Sequence, residues 1–261
     1  MCGITGIHGK ADGAAWAATH RMTAALAHRG PDAEGHWTDD RSIVIGHRRL
    51  SILDTSDAAN QPMTSWCGQY VIAFNGEVYN YAELREELDY PFKTTGDTEV
   101  VLAALREWGV AALDRLNGMF ALALWDCEEE RLLLARDRMG IKPLYLHASD
   151  DGLLWASEIR ALLASDRIER RLNRASVIDF LRYQTVHGPD TLIEGVEMLP
   201  AGHLIWADDN EIRTEAWWDP AAAASTAVQD GQPWTYGGGP AATRVRDLLL
   251  DSVRLRMRSD V

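Results

Sequence analysis

Along the first 215 or so positions, short runs of alternating or continuous apolar residues are interleaved with longer stretches of helical periodicity. The strand-like runs fall at 4–8, 42–50, 69–75, 119–125, 131–136, 144–147, 153–156 and 203–206, and helical stretches at 14–28, 81–88, 98–108, 158–163 and 174–182. The strands come in clusters, not in strict alternation with helices. This order favours mainly antiparallel sheets covered by helices over a doubly wound parallel sheet, so the expected class is α+β. No internal repeat points to a solenoid or propeller.

The pattern breaks after residue 218. Positions 219–240 pass from an alanine run to Gly237-Gly238-Gly239-Pro240, a composition that reads as a linker. Positions 241–261 regain helical character, with Val245, Leu248, Leu249, Val253 and Leu255 on one apolar arc among arginines. Such a helix needs a surface to pack on. It reads as the first helix of a further domain lying outside this chain; docking on the first domain or on another chain is the other option.

Composition narrows the partners. With 39 acidic against 26 basic residues the net charge is -13, which argues against nucleic acid and anionic membranes. Three scattered cysteines form neither a metal-binding pair nor a disulfide framework, as in a reducing cytoplasm, and no signal peptide or membrane-length apolar run occurs. A cytoplasmic location is expected. No histidine pattern indicates a metal, and the glycine run lacks the Lys-Ser or Lys-Thr of a phosphate cradle.

Cys2 directly follows Met1. Removal of Met1 would leave one residue with both a thiol and a free α-amine, and an amine of pKa about 8 can take the thiol's proton near neutral pH. Asn75-Gly76 offers a side-chain amide and a backbone N–H that could converge on one oxygen, although on spacing alone Asn-Gly between apolar segments is first a hairpin-turn signal, and a tight turn would also present both donors together. Strand alternation sends Arg48 and Arg49 to opposite faces, so only one enters a pocket, where its fork would suit a carboxylate. Asp97 stands at a helix start, where capping is its default role, with acceptor capacity left for an ammonium group. The runs 28–32 and 136–143 contain turn chemistry and read as mainly architectural.

Together, Met1-Cys2-Gly3-Ile4, Arg29-Gly30-Pro31-Asp32, Arg49-Leu50-Ser51-Ile52, Asn75-Gly76-Glu77-Val78-Tyr79-Asn80, Gly96-Asp97 and Arg136-Asp137-Arg138-Met139-Gly140-Ile141-Lys142-Pro143 resemble the class II glutamine amidotransferases. Asn75 to Asn80, Ser157 to Leu162 and Leu199-Pro200-Ala201-Gly202-His203 resemble the glutamine-hydrolysing asparagine synthetases in particular. The resemblance spans 2–218 and resumes in the final helix. It implies a four-layer αββα N-terminal nucleophile hydrolase sandwich of two antiparallel sheets. It further implies that Cys2 attacks the side-chain amide of L-glutamine, and that Asn75 and the Gly76 N–H form the oxyanion hole. Arg49 would hold the α-carboxylate, Glu77 and Asp97 the α-ammonium, and backbone near Leu50 and Ile52 would line the pocket.

Hydrolysis of this kind needs no cofactor. ATP and magnesium would belong only to a synthetase domain or partner receiving the ammonia, because the Ser-Gly-Gly-x-Asp-Ser loop of that domain does not occur here. The chain then reads as a truncation or as one half of a split enzyme. A non-catalytic or partner-dependent regulatory subunit is the competing reading, and an amidase for another amide a third. Ammonia acceptor and oligomeric state, a homodimer included, stay open.

Overall fold

Three separate apolar layers organise the molecule, and they dictate four layers of secondary structure. The computed structural model describes residues 1–229 and 240–261. One sheet runs in the order β10-β8-β9-β1-β3-β2, formed by β1 (Gly3–Gly9), β2 (Ala33–Thr38), β3 (Ile43–Arg49), β8 (Tyr145–Ser149), β9 (Gly152–Ala156) and β10 (Glu197–Met198). The other runs β12-β11-β7-β6-β5-β4, from β4 (Met63–Thr64), β5 (Tyr70–Val78), β6 (Gly118–Asp126), β7 (Arg131–Arg136), β11 (His203–Ala207) and β12 (Ile212–Ala216). All the strand pairings described are antiparallel.

Alternation along β5 shows how one strand serves two cores. Val71 and Ala73 face the first sheet and join Ile4, Ile45, Trp125 and Trp155 between the sheets. Ile72, Phe74 and Val78 face outward, into a layer closed by α3 (Asp97–Trp108) with Leu102 and Leu105. On the far side of the first sheet, α1 (Gly13–Ala25) and α5 (Ile159–Ala164) cover Ile7, Val44 and Leu154 with Met22 and Leu162. Helix, sheet, sheet and helix therefore stack in the αββα order. Both sheets are buried on both faces, which is why their strands read as near-continuous apolar runs instead of alternating ones.

The expected strands are present, with four short additions: β2, β4, β10 and β12. β2 carries Glu34, Gly35 and His36 on the sheet edge, and β12 is largely exposed; neither has the apolar run that marks a buried strand. α2 (Tyr81–Glu87), α4 (Ala112–Arg115) and α6 (Arg174–Tyr183) complete the sandwich.

Beyond it, Pro220–Gln229 forms helix α7, within the stretch read as linker, whose positions 230–239 lie outside the described residues. α8 (Pro240–Arg256) follows, and its apolar arc stays open: Val245, Leu248, Leu249 and Val253 are all exposed. The segment after it does return to the sandwich. Asp260 N–H donates to the Ile52 carbonyl at 3.0 Å, and Arg258 reaches Tyr79 and Glu83.

Candidate active site

The start of β1 and the end of β5 lie on facing sheets, and a cavity of about 120 Å³ opens between them. Cys2, Arg49, Leu50, Ile52, Asn75, Gly76, Glu77 and Asp97 all line it. Every residue singled out from the sequence for catalysis or substrate binding is thus gathered in one place, from four separate chain segments.

Cys2 sits just ahead of β1, in the middle of its sheet. Its Sγ accepts the Leu50 N–H at 3.4 Å, and Arg29 Nε donates to its carbonyl at 2.9 Å. The run containing Arg29 is therefore more than a turn, since it fixes the residue that carries the thiol. Burial holds the thiol above its usual pKa, against the opposing Leu50 contact and the N-terminal ammonium. The N-terminal amine is pushed the other way, below 8.0, again chiefly by burial. Here that amine belongs to Met1, which also lines the cavity.

Asn75-Gly76 is not a hairpin turn. β5 continues through it to Val78, with Asn75 opposite Ala121 and Gly76 opposite Phe120. The turn expectation fails because pairing with β6 runs unbroken across the dipeptide. Odd positions of β5 point between the sheets, so the Asn75 side chain faces the Cys2 end of β1. It is 1% exposed, and its Nδ2 has no hydrogen-bond partner. A buried donor left unpaired costs about 1–3 kcal/mol, so its presence at a cavity wall marks a place for an acceptor.

The Gly76 N–H is directed by strand pairing. Phe120 uses both backbone groups on Asp137: its carbonyl accepts from Asp137 N at 2.9 Å, and its N–H donates to Asp137 Oδ2 at 3.1 Å. Gly76 and Phe120 therefore form a pair without ladder bonds, and the Gly76 N–H points to the outer edge of β5. That edge is covered by β4 only at Val71 and Ile72. Further along, side chains take over: Gln61 Oε1 accepts Phe74 N–H at 2.6 Å, and Asp97 Oδ2 accepts Val78 N–H at 2.9 Å. Gly76 lies between them on the cavity side. A methyl group there would meet Met119 O at 2.5 Å, which is why the position takes glycine.

Arg48 and Arg49 divide as alternation requires. Arg48 turns to α1 and β2, pairing with Glu34. Arg49 is 5% exposed and enters the cavity wall. Its terminal nitrogens already donate to Ser56 O at 2.7 Å, Asn60 Oδ1 at 2.9 Å and the Asp54 carbonyl. The free bidentate fork expected from sequence is therefore engaged by the loop, and Arg49 brings the cavity a fixed positive charge.

Asp97 is the first residue of α3, with Gly96 as its cap, so its carboxylate is released from capping and serves Val78. Burial, reinforced by Glu77, raises its pKa from 3.8 to about 6. Glu77 is also raised by burial, against the pull of Lys142 and Arg256.

Lys142 escaped the sequence reading. The Arg136–Pro143 run is architectural in its bonding: Arg136 donates to the carbonyls of Gly140, Lys142 and Leu199, and Asp137 accepts from the amides of Met139, Ile141 and Lys142. Yet that scaffold carries Lys142 into the cavity, 4% exposed, with Nζ 3.2 Å from Met1 Sδ. Burial lowers its pKa. The available signal was a lysine held between Ile141 and Pro143 in a turn built by buried charges. Gln61 was also missed; its Nε2 donates to Thr98 Oγ1 at 3.3 Å, strapping β5 to α3.

Away from the cavity, His20, Glu34 and His36 are the one described group that could hold a metal ion. Glu34 is paired with Arg48, and the His36 ring meets Thr23 Oγ1 at 3.1 Å.

The glutamine amidotransferase domain family matches residues 1–218, which includes every cavity residue named above. The chain belongs to that family. Over 269 residues the amidotransferase domain and the sequence after it are 34% identical to the glutamine-hydrolysing asparagine synthetase 1 of Bacillus subtilis, covering 100% of this chain and 41% of that protein. A putative glutamine-hydrolysing asparagine synthetase of Mycobacterium tuberculosis is 36% identical over 288 residues, covering 100% of this chain and 43% of that one. The chain thus spans less than half the length of these relatives. Among solved structures, glutamine phosphoribosylpyrophosphate amidotransferase of B. subtilis superposes with a TM-score of 0.63 at 21% identity, over 83% of this chain and 49% of that chain. The amidotransferase domain shares its fold, the N-terminal nucleophile hydrolase sandwich. No described helix is long and apolar enough to cross a membrane.

Proposed function

We propose that this domain hydrolyses the side-chain amide of L-glutamine through Cys2, after removal of Met1, and supplies ammonia to an ATP-dependent amidation of the asparagine synthetase type. The observation that carries this reading is the pairing of a thiol with an unpartnered buried amide donor, Asn75 Nδ2, in one cavity that also presents the Gly76 N–H.

The chemistry follows from the groups at hand. The liberated Cys2 amine takes the thiol proton, and the sulfur adds to the amide carbon. The oxygen gains negative charge between Asn75 Nδ2 and Gly76 N–H, donors already in place before the reaction. The amine returns the proton to the nitrogen, ammonia leaves, and a thioester remains. Water then releases glutamate and restores the thiol. Arg49 holds the α-carboxylate through its charge, aided by backbone near Leu50 and Ile52. Glu77 and Asp97 face the α-ammonium, which favours the ionised form of both. Hydrolysis draws on no cofactor; ATP and magnesium enter only with the synthetase part or subunit that takes the ammonia, and the reaction is assigned to the cytoplasm.

The test is glutamate release from glutamine by protein whose intact mass confirms loss of Met1. Cys2→Ala should abolish release, and an electrophilic glutamine analogue should label Cys2, not Cys67 or Cys127. A fully active Cys2→Ala protein would overturn the assignment. Negligible turnover by processed protein, alone and with any synthetase partner, would favour a regulatory module instead.

A further inference from the structure

The loop after β3 is irregular, yet it supplies acceptors that anchor Arg49. Asp54 is its hub, a non-glycine residue at φ 51. Its carbonyl accepts from Arg49, its Oδ2 accepts Thr95 N–H at 2.7 Å two residues before Asp97, and its Oδ1 accepts Ser56 N–H at 3.1 Å. The remaining polar group, the Asp54 N–H, donates to Asp260 Oδ2 at 2.7 Å. Asp260 also donates its own N–H to Ile52 O at 3.0 Å, so the residue grips this loop from both ends. Two positions earlier, Arg258 donates to Tyr79 O at 3.1 Å and pairs with Glu83 at 3.0 Å. Tyr79 follows Val78, the residue whose N–H Asp97 accepts.

The segment after α8 thus ties together two stretches next to cavity-lining residues, one continuing from Ile52 and Leu53 and one just past Glu77, more than 170 residues away in sequence. Ile52 to Asp54 lies outside any strand, and Tyr79, just past β5, keeps one backbone bond on the β6 side, its N–H donating to Asn117 O at 2.8 Å.

We propose that Asp260 and Arg258 are positioning residues for the glutamine site, latching the Ile52–Asp54 loop so that the Arg49 charge and the loop amides are preset for substrate. The proposal rests on the glutaminase reading. It makes affinity for glutamine answer to the position of α8, because the two latch residues follow that helix directly. Its effect falls on binding, since neither residue lines the cavity or touches Cys2 or Asn75.

The experiment uses the full chain with Met1 removed, comparing Asp260→Ala, Asp260→Asn and Arg258→Ala for glutamate release and for amide hydrogen exchange in peptides covering 50–56. Asp260→Ala should raise the KM for glutamine about tenfold with kcat nearly unchanged, the loss expected when a charged acceptor leaves a backbone N–H. Exchange in 50–56 should accelerate while the melting temperature holds. Asp260→Asn keeps an acceptor for the Asp54 N–H and should restore both readings; Arg258→Ala should give a smaller rise in KM. An unchanged KM, unchanged exchange, or a parallel fall of kcat and melting temperature in Asp260→Ala would overturn the latch. If the unsubstituted protein releases no glutamate, the glutaminase reading falls, and the exchange measurement still decides whether Asp260 holds the loop.

Discussion

Two walls of one cavity are built by opposite means. The β5 wall, with Asn75 and Gly76, is held by nine residue pairs with β6, and its donors point where the ladder directs them. The wall from Leu50 to Ser56 has no strand partner and keeps its shape through polar contacts drawn from Arg49, Thr95 and Asp260. The first wall is rigid because its backbone groups are paired locally and repetitively; the second is as firm as a few long-range contacts make it. The difference assigns the tasks. In the proposed reaction, the groups that meet developing charge sit on the sheet, where reorganisation is least, while those that hold the ends of the substrate come from strand ends (Arg49, Glu77), the loop (Leu50, Ile52) and a helix start (Asp97).

Substitutions can break that division, and the largest effect belongs to the sheet wall. Asn75→Ala should lower kcat by about 10²–10³ with KM little changed, the loss typical of removing one oxyanion donor. An equal rise in KM would place Asn75 in ground-state binding instead. Steady-state kinetics decides between them.

Asp97→Asn keeps an acceptor for Val78 N–H but removes the charge proposed to face the substrate's ammonium. Losing about 2–3 kcal/mol of a buried charge pair corresponds to a KM raised roughly 30- to 150-fold, with kcat largely retained.

A structural change on β5 should come next. Gly76→Ala places a methyl 2.5 Å from Met119 O and 2.7 Å from the Phe74 ring. Neither backbone nor a packed ring yields easily, so stability should fall by about 1–3 kcal/mol, read as a lower denaturant midpoint. The same change at exposed Gly13, where nothing lies within 4 Å, should leave the midpoint nearly unmoved.

The smallest effect is a pH dependence. Asp97 titrates near 6 in the folded protein against an ordinary 3.8, so folding favours its protonated form. Its contribution to stability is complete below pH 3.8 and is lost as pH rises through 6. An ammonium beside it reverses the preference. Glutamine should therefore raise the melting temperature of a Cys2→Ala protein more at pH 7.5 than at pH 5, and near pH 6 its binding should release protons, seen by calorimetry in buffers of different ionisation enthalpy. Asp97→Asn should weaken both signatures, leaving the part that Glu77 contributes.

How far the sequence carried this picture depends on what each residue touches. Cys2, Asn75, Gly76 and Asp97 were legible because each stands in a short motif whose residue types suit one chemistry, and all of them line the cavity. The Asn75-Gly76 turn signal misled because local propensity ignores a partner strand; β6 pairs straight across it. Lys142 was hidden inside a scaffold whose visible logic is Arg136 and Asp137 satisfying backbone groups. The engagement of Arg49 by Asp54, Ser56 and Asn60 was equally invisible, since a loop's carbonyl directions leave no mark on its composition.

By itself, then, the sequence determined the class of structure, the family and eight of the nineteen residues that line the cavity, because apolar periodicity and motif chemistry are local properties that a chain carries wherever it folds. Only the tertiary structure decided which donors are free and which are taken. It left Asn75 Nδ2 unpaired, turned Gly76 N–H to the open edge of β5, released Asp97 from capping and brought Asp260 back to Asp54. The physical reason is that hydrogen-bond satisfaction is an exchange among all neighbours in space, and those neighbours exist only once distant segments have packed.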